Sequence, residues 1–309
     1  MNIIVLGAAG FIGTNLAINL AKDKTNKITL VDQSLSYFNP DVKKLNNCSF
    51  VESDFQENTQ FSQLLKGQDI VYHLVSTNIP SNSGINVSEE LKANIVVTSK
   101  MLDSCVAEHI QKVIFISSGG TVYGKQLNCP LNEDLPTYPI NSYGLQKITI
   151  EKLLYMYEYM YGLDYRVVRL ANPYGPYQRP NGKLGAVTTF TYKAIKNEPI
   201  DLYGDGSIVR DFIYIQDAIN AILTIANGED YHKVFNVGSG KGTSIKELLI
   251  LIEQTLRIDL IINKHEGRKA DVPVNYLDIS RYQSRYGQLN HHTLKEGILL
   301  TKKFLEENY

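Results

Sequence analysis

Short apolar runs alternate with longer helical patterns through residues 2–169, and this alternation constrains the fold more than any other feature of the sequence. The runs are nearly continuous in apolar residues, as expected of strands that are buried on both faces, and the helical patterns between them are typical of crossover connections. They comprise residues 3–6, 28–31, 49–51, 70–74, 113–116 and 165–168. The pattern predicts an α/β fold built on a Rossmann-type doubly wound parallel sheet.

The residue composition changes in the second half of the chain. Glycine, proline and tyrosine become denser through residues 172–183, and the later elements are shorter and less regular. A length of 309 residues also exceeds what one hydrophobic core usually organises. We therefore predict a dinucleotide-binding domain over residues 1–172 and a smaller C-terminal α/β substrate domain over residues 173–309, with segments that can cross back between them.

The charge balance excludes several classes of partner. Lysine and arginine (31) nearly balance aspartate and glutamate (32), so the net charge of -1 predicts binding neither to nucleic acid nor to an anionic membrane. No basic leader and no membrane-spanning apolar stretch is found in the sequence, and the three cysteines form neither a disulfide pattern nor a metal motif. We expect a cytoplasmic protein without a metal.

A glycine turn follows the first apolar run, with the sequence Gly7-Ala8-Ala9-Gly10-Phe11-Ile12-Gly13. Glycine lets the backbone approach a pyrophosphate, whose charge is then met by free N–H groups at the start of a helix. Taken alone, this spacing fits a structural turn as well. Asp32, however, ends the second run 19 residues after Gly13, where a carboxylate can bind an adenosine ribose, and no arginine occurs in residues 33–37. The combination predicts NAD rather than NADP.

A second glycine-rich segment, Gly238-Ser239-Gly240-Lys241-Gly242-Thr243, is similar to part of a phosphate-binding P-loop. That motif requires glycine at position 235, where the chain has phenylalanine. We interpret the segment as a turn into a helix that starts at Ser244.

Tyr143 and Lys147 lie four residues apart in a segment that begins after Pro139 and keeps helical spacing to about Tyr161. An i, i+4 pair shares one helix face. To act as a base near pH 7, a tyrosine must have its pKa lowered by about 3 units, which an adjacent ammonium and a cationic nicotinamide can supply. Taken alone, such a pair is more often incidental; together with the glycine turn and Asp32, it predicts a catalytic pair.

These motifs resemble the extended short-chain dehydrogenase/reductase family, in its branch of UDP-glucose 4-epimerase-like nucleotide-sugar enzymes. Gly7 to Gly13 resembles the NAD turn, Asp32 the ribose acid, Asp54-Phe55 the adenine-edge segment and Ser117 to Gly124 the motif after strand five. The Tyr143 and Lys147 pair is similar to the family's catalytic pair. The resemblance implies NAD contacts that include Gly10, Phe11, Ile12, Leu74 and Ser117.

The resemblance extends into the second half of the chain, where it implies a UDP-sugar substrate. Asn172 stands in a segment like the one that meets the nucleotide diphosphate, and Arg210-Asp211-Phe212-Ile213 resembles a phosphate-binding stretch. Arg268 with Asp271 is similar to a later arginine element, and Tyr203 is a further implied substrate contact. Asn275 lies near a position where narrowly specific relatives carry tyrosine, which leaves N-acetylated sugars open as substrates.

The implied reaction is a 4-epimerisation through a 4-keto sugar. Tyr143 would remove the O4 proton while the C4 hydride passes to NAD, and the keto sugar would turn and take the hydride back on its other face. Lys147 would bind the nicotinamide ribose and lower the tyrosine pKa, and Thr121 would hydrogen-bond the reacting hydroxyl. The sequence departs from the family's pattern at two places, which bears on catalytic efficiency and substrate orientation more than on the reaction class. Gly119 stands where many family epimerases carry serine, and the usual His-x-Ala-Ala/Gly segment after strand four reads His73-Leu74-Val75-Ser76.

Other activities remain open. A sugar 4,6-dehydratase or decarboxylase would carry an acid directly after Thr121, where Val122 stands. A 4-ketoreductase would need exchangeable NAD(P)H, and a non-catalytic NAD-binding regulator could share the fold.

The sequence also bears on assembly. We interpret the aromatic run of residues 155–161 mainly as core packing, with part of it facing a partner. The resemblance implies a homodimer in which this helix and the one over residues 94–106 pair across a twofold axis.

Overall fold

The computed structural model describes residues 1–78, 83–180, 185–267, 272–289 and 291–309. The strands are β1 (Asn2–Leu6), β2 (Lys27–Asp32), β3 (Cys48–Glu52), β4 (Ile70–His73), β5 (Lys112–Ser118), β6 (Asp164–Leu170), β7 (Asn172–Tyr174), β8 (Ile200–Tyr203), β9 (Val209–Arg210), β10 (Phe212–Tyr214), β11 (Val234–Val237), β12 (Thr243–Ser244), β13 (Ile262–His265) and β14 (Val274–Asn275).

The longer helices are α1 (Phe11–Leu20), α5 (Val97–Ala107), α6 (Ser142–Tyr161), α7 (Ala186–Ile195), α8 (Ile215–Asn227), α9 (Ile245–Leu256) and α11 (Leu294–Asn308). Shorter helices are α2 (Pro40–Lys43), α3 (Phe61–Leu65), α4 (Val87–Leu91) and α10 (Ser280–Tyr286), with a 3-10 turn at Leu35–Tyr37 and a π-helical turn at Lys92–Val96 between α4 and α5.

Seven strands form the main sheet, in the order β11-β6-β5-β4-β1-β2-β3. β1 pairs in parallel with both β2 and β4, and chain order reverses at β1, so the sheet is doubly wound. The predicted Rossmann-type fold and its six strands are confirmed. The seventh strand, β11, was not predicted because a buried asparagine, Asn236, interrupts its short apolar run.

The chain divides into two compact units. Unit 1 comprises residues 1–122, 137–169 and 225–235, and unit 2 comprises residues 123–136, 170–224 and 236–309. Their functional division into a cofactor domain and a substrate domain stays a prediction.

The core of unit 1 determines where α6 lies. Residues of β1, β4 and β5 share one buried cluster with α5 and α6, to which α6 contributes Ile150, Leu154 and Tyr157. Burial of a side chain of this size stabilises a fold by about 1.5–3 kcal/mol. The inner face of α6 is therefore held against the sheet.

The outer face of α6 is exposed. Tyr155, Met156, Tyr159, Met160 and Tyr161 are each more than 40% exposed, whereas Tyr157 is buried. The interpretation of this run as mainly core packing is therefore wrong, because most of its side chains lie on the side turned away from the sheet. Across the described parts of the chain, we find no helix with the length and apolar character that a membrane crossing requires.

Candidate active site

The glycine turn lies at the carboxyl end of β1, where the sheet reverses its strand order. Gly7 has a left-handed φ of 82°, and a Cβ added there would lie 3.2 Å from the main chain of Leu74 and Val75, so the segments after β1 and β4 approach closely. A ligand of a doubly wound sheet binds at such a reversal. The Leu74 main chain therefore lies beside the glycine turn, and its predicted contact with the cofactor stays a prediction.

The turn fits a pyrophosphate. A Cβ on Gly13 would lie 2.5 Å from the Gly7 carbonyl oxygen and 2.7 Å from Ala8 Cα, so only glycine is accommodated. α1 begins directly after Gly10, and its first N–H groups point out of the helix. Phe11 and Ile12 are half-buried in its first turn. This cradle of main chain is what NAD requires.

Asp32 ends β2 beside the turn. Its carboxylate accepts hydrogen bonds from the Ala9 N–H at 2.8 Å and from the Gln33 N–H at 2.9 Å. A carboxylate has about four acceptor sites, so these two bonds leave capacity for a ribose diol. Asp32 therefore has a structural role, holding the glycine turn, in addition to the ribose role that was predicted for it.

The other predicted cofactor residues have varied surroundings. Asp54 is exposed after β3, and its main-chain carbonyl accepts a hydrogen bond from the Thr59 hydroxyl at 2.5 Å. The ring of Phe55 stacks on His73, with centroids 5.1 Å apart. Phe55 is thus partly committed to packing at the end of β4.

The start of α6 is held close to the segment after β5. The Asn141 side chain caps the helix by accepting from the Gly144 N–H at 2.8 Å. A Cβ on Gly144 would lie 2.7 Å from the Thr121 carbonyl oxygen and 2.9 Å from Pro139 Cβ. The absence of a side chain at residue 144 thus brings Tyr143 and Thr121 into the same neighbourhood.

Lys147 is buried one turn after Tyr143. Its ammonium donates to the Ile116 carbonyl at 3.0 Å and lies 5.5 Å from the centroid of the Tyr143 ring. Burial lowers the pKa of Lys147 to about 8, although the Glu151 carboxylate opposes this shift. Burial raises the pKa of Tyr143 to about 12. The sequence predicts that Lys147 lowers the pKa of the Tyr143 phenol. In the protein without a bound cofactor, the loss of solvent around the phenol raises this pKa instead.

Thr121 carries a buried hydroxyl that has no hydrogen-bond partner among the described residues. A buried polar group without a partner costs about 1–3 kcal/mol, which a ligand hydroxyl would offset. The close approach at Gly144 thus brings the main chain of Thr121 to the turn of α6 that carries Tyr143 and Lys147.

Sequence reasoning missed a buried ion pair behind Lys147. Glu151 accepts hydrogen bonds from Arg169 Nη2 at 2.7 Å and from the Ser117 hydroxyl at 2.5 Å. All three residues are buried. The side chain of Ser117, a residue predicted to contact the cofactor, is thus engaged with Glu151. The helical spacing of Lys147 and Glu151 was the signal by which sequence reasoning could have found this ion pair.

Glu90 on α4 was also missed. Its carboxylate accepts from Ser142 Oγ at 2.6 Å, Asn78 Nδ2 at 2.7 Å and Gln146 Nε2 at 3.2 Å. The hydrogen bond from the Ser142 hydroxyl lowers the pKa of Glu90 most, and bonds from the Gly84 and Asn86 main chain and the Asn78 side chain act in the same direction. One carboxylate thus links the segment after β4 to the first turn of α6, beside Tyr143.

Unit 2 holds most of the predicted substrate residues. Asn172, at the start of β7, donates from its side chain to the Asp211 carbonyl at 2.8 Å. Arg210 lies opposite buried Asn275 in the β9 and β14 pair and donates to the Val272 carbonyl at 2.7 Å. Short strands thus gather these three residues in one unit.

Tyr203 lies apart, at the end of β8, where 39% of it is exposed. Its ring stacks on His265 of β13, with centroids 5.0 Å apart and planes at 25°. Arg268 and Asp271 lie outside the described residues.

The P-loop-like segment of unit 2 is wrapped around a carboxylate. Asp211 accepts from the Ser239 N–H at 2.6 Å, the Gly240 N–H at 3.3 Å and the Leu277 N–H at 3.2 Å. These amides are thus directed to a buried side chain rather than to a phosphate. The interpretation as a turn is supported, and the helix α9 with its cap at Ser244 is confirmed.

Comparisons with known proteins identify the family of the chain. A model of the NAD dependent epimerase/dehydratase family matches residues 3–238. A protein of Methanocaldococcus jannaschii named putative UDP-glucose 4-epimerase is 32% identical over 311 residues, which cover 99% of each chain. A protein of Escherichia coli named dTDP-4-dehydro-6-deoxyglucose reductase is 30% identical over 307 residues, which cover 96% of this chain and 95% of that protein. The crystal structure of a Thermotoga maritima UDP-glucose 4-epimerase with UDP-glucose superimposes with a TM-score of 0.91 at 30% identity, over 99% of both chains. The chain therefore belongs to the NAD dependent epimerase/dehydratase family.

Proposed function

We propose that the protein is an NAD-dependent 4-epimerase of UDP-hexoses, acting on UDP-glucose and UDP-galactose and open to their N-acetylated forms. The observation that carries the proposal is the buried Thr121 hydroxyl, which lacks a partner among the described residues and lies where Gly144 brings in the Tyr143 turn. A sugar hydroxyl would complete that site.

The proton chemistry falls to Tyr143. With its pKa raised to about 12 by burial, the phenol must be shifted by about 5 units, or about 7 kcal/mol, to act near neutral pH. The Lys147 ammonium lies 5.5 Å from the centroid of the Tyr143 ring, and a positive charge this close favours the phenolate. The positive charge of oxidised NAD would favour it further. Tyr143 then takes the O4 proton, while Thr121 orients the same hydroxyl.

NAD, when bound, supplies reversible oxidation at C4 of the sugar. The glycine turn of Gly7 to Gly13 and Asp32 would hold it, together with Asp54, Phe55, Leu74 and the Ser117 main chain. Lys147 would bind its nicotinamide ribose.

Unit 2 would bind the UDP moiety. Arg210 offers a planar set of donors suited to phosphate oxygens, and Asn172 and Tyr203 provide an amide and an exposed ring. Arg268 and Asp271 are proposed as further substrate contacts on the family resemblance alone. Within this division, unit 1 serves as the cofactor domain and unit 2 as the substrate domain.

The test is an assay of the purified protein with UDP-galactose and UDP-glucose, after its bound cofactor has been identified. We expect interconversion without added NAD. Tyr143→Phe should lower kcat by at least about a hundredfold, whereas Tyr231→Phe, at a position 73% exposed outside α6, should leave it unchanged. No interconversion with NAD bound would favour a regulator.

A 4-ketoreductase is the second candidate, favoured by the similarity to the Escherichia coli reductase. It would consume added NAD(P)H with a 4-keto sugar nucleotide and release the oxidised cofactor. Retention of NAD through many turnovers, with no net redox change, would exclude it.

N-acetylated substrates depend on Asn275. Its side chain is buried in β14, and a tyrosine there would add an aromatic ring to the same place. We expect turnover of UDP-GlcNAc, and Asn275→Tyr should lower it more than turnover of UDP-glucose. Exclusive use of UDP-glucose by the parent protein would contradict this proposal.

We further propose a cytoplasmic homodimer formed through the exposed outer face of α6. Tyr159 and Met160 are 83% and 56% exposed, and an aromatic and methionine face of this kind favours a protein partner. A monomeric mass by light scattering would refute the dimer.

A further inference from the structure

Three charged or ionisable residues follow one face of α6 at intervals of one turn: Tyr143, Lys147 and Glu151. The third is the least expected, because a buried carboxylate is costly unless it is paired. Glu151 and Arg169 are each only 4% exposed, and Arg169 Nε and Nη2 both donate to the carboxylate.

Glu151 is also hydrogen-bonded to β5, the strand whose main chain accepts the hydrogen bond from Lys147. The Ser117 hydroxyl donates to its Oε1 at 2.5 Å, and the preceding residue, Ile116, offers the carbonyl that accepts from the Lys147 ammonium at 3.0 Å. A displacement of Glu151 would therefore reach the lysine both through the helix and through β5.

Among the described residues, the titratable, charged and polar groups around the Lys147 ammonium lie on α6, β4, β5 and β6. On α6 these are Tyr143 and Glu151; β5 presents the Phe115 ring, 4.8 Å from the ammonium, and the Ile116 carbonyl. His73 on β4 is neutral, because burial lowers its pKa to about 3, and Arg169 on β6 is paired with Glu151. Glu151 is thus the anion of this set.

We propose that Glu151, held by Arg169 and Ser117, is a positioning residue for Lys147 that keeps its ammonium charged and seated on the Ile116 carbonyl. The importance of this for catalysis rests on the proposed function, in which Lys147 supports Tyr143. The charge relation itself does not depend on that function.

The charge count explains the effect. With the Glu151 carboxylate present, Lys147, Arg169 and Glu151 together have a net charge of +1. Without the carboxylate, two cations would share a poorly solvated region. Because arginine does not lose its proton in proteins, the lysine would be the residue that becomes neutral. Burial already lowers the pKa of Lys147 to about 8, against which the Glu151 carboxylate acts. Removal of the carboxylate should lower the titration midpoint by roughly 1–2 pH units.

The experiment is a pH titration of the full-length purified protein, selectively labelled with ¹³C-lysine and followed by NMR at the lysine Cε. Lys147→Met identifies the resonance by its loss. In Glu151→Gln we expect the Lys147 midpoint to fall by about 1–2 pH units, and the basic limb of kcat/KM to move by the same amount. Glu158→Gln is the matched control, since Glu158 lies on the same helix and binds Lys233 at 2.6 Å.

An unchanged Lys147 midpoint in folded Glu151→Gln would overturn the proposal, even if its melting temperature fell. If that variant does not fold because Arg169 has lost its carboxylate partner, the double variant Glu151→Gln with Arg169→Gln takes its place. Its Lys147 midpoint is expected to lie between the midpoint of the parent protein and the value predicted for the single variant. A midpoint equal to or above the parent's would refute the proposal there. The NMR titration requires no turnover, so failure of the epimerase assay and failure of this inference are distinguishable.

Discussion

Gly144→Ala is the substitution that most directly tests how the catalytic helix is placed. The new Cβ would lie 2.7 Å from the Thr121 carbonyl oxygen, which is 0.7 Å short of the 3.4 Å at which ordinary contact begins. Its other near neighbour, Pro139 Cβ at 2.9 Å, blocks movement on a second side. The first turn of α6 must therefore move away from Thr121 by about half an ångström or more.

The stability effect should be modest. Alanine gains about 1 kcal/mol of helix propensity over glycine, while overpacking costs about 1–3 kcal/mol, so the net loss is about 0–2 kcal/mol. The effect on catalysis should be larger, because a misplacement of about 1 Å can cost a hundredfold. We expect kcat to fall by about 10- to 100-fold, equivalent to about 1.4–2.7 kcal/mol.

Gly162→Ala on the same helix is the control. Gly162 ends α6 with a left-handed φ of 71°, and no heavy atom of the described residues lies within 4 Å of a Cβ placed there. This variant should lose about 1–2 kcal/mol of stability with kcat unchanged. Urea unfolding and UDP-galactose turnover measure both quantities. If Gly144→Ala folds and keeps kcat within about twofold, the close approach does not position Tyr143 and the reasoning is refuted.

Three further substitutions test separate parts of the site. Gly13→Ala should abolish retention of NAD, because its Cβ would lie 2.5 Å from the Gly7 carbonyl, and cofactor content after purification measures this; full occupancy would contradict the cradle. Thr121→Val should lower kcat by about 10- to 100-fold. Its free energy of unfolding should stay the same or rise by about 1 kcal/mol, because the Thr121 hydroxyl has no partner among the described residues. A lower melting temperature would instead show that this hydroxyl stabilises the fold. His73 is neutral when folded, with its pKa lowered from 6.5 to about 3, so the unfolded chain binds the extra proton and stability falls as the pH drops through that window. By pH 5 the loss should be about 2 kcal/mol, and His73→Gln should lack it when urea unfolding at pH 7 and pH 5 is compared; an equal loss in the variant would show that other groups are responsible.

The features predicted from the sequence are those with a local signal. The six strands, α6 and the glycine turn each follow from a period or a motif contained within one short segment. The position of Asp32 at the end of β2 could be predicted because one helix and one strand separate it from Gly13.

The features that were missed join residues far apart in the chain. Glu151 meets Ser117 across 34 positions, and Asp211 meets Ser239 across 28. Glu151 shares helical spacing with Lys147, but the sequence of its segment does not show that either carboxylate is buried and paired, since burial and pairing appear only after the sheet has formed. The exposed outer face of α6 was misjudged for a related reason, because tyrosine is compatible with a core and with a surface.

α6 is attached to β5 and the segment after it at three successive turns, by three different kinds of contact. At Gly144 the contact is the close approach to the Thr121 main chain, at Lys147 it is an ammonium on the Ile116 carbonyl, and at Glu151 it is a carboxylate that accepts from Ser117. A helix held at three points along one line cannot rotate about its axis without breaking all three contacts. The position of the Tyr143 main chain is therefore fixed relative to β5, and these contacts all lie on the inner face of the helix, opposite its exposed tyrosines and methionines.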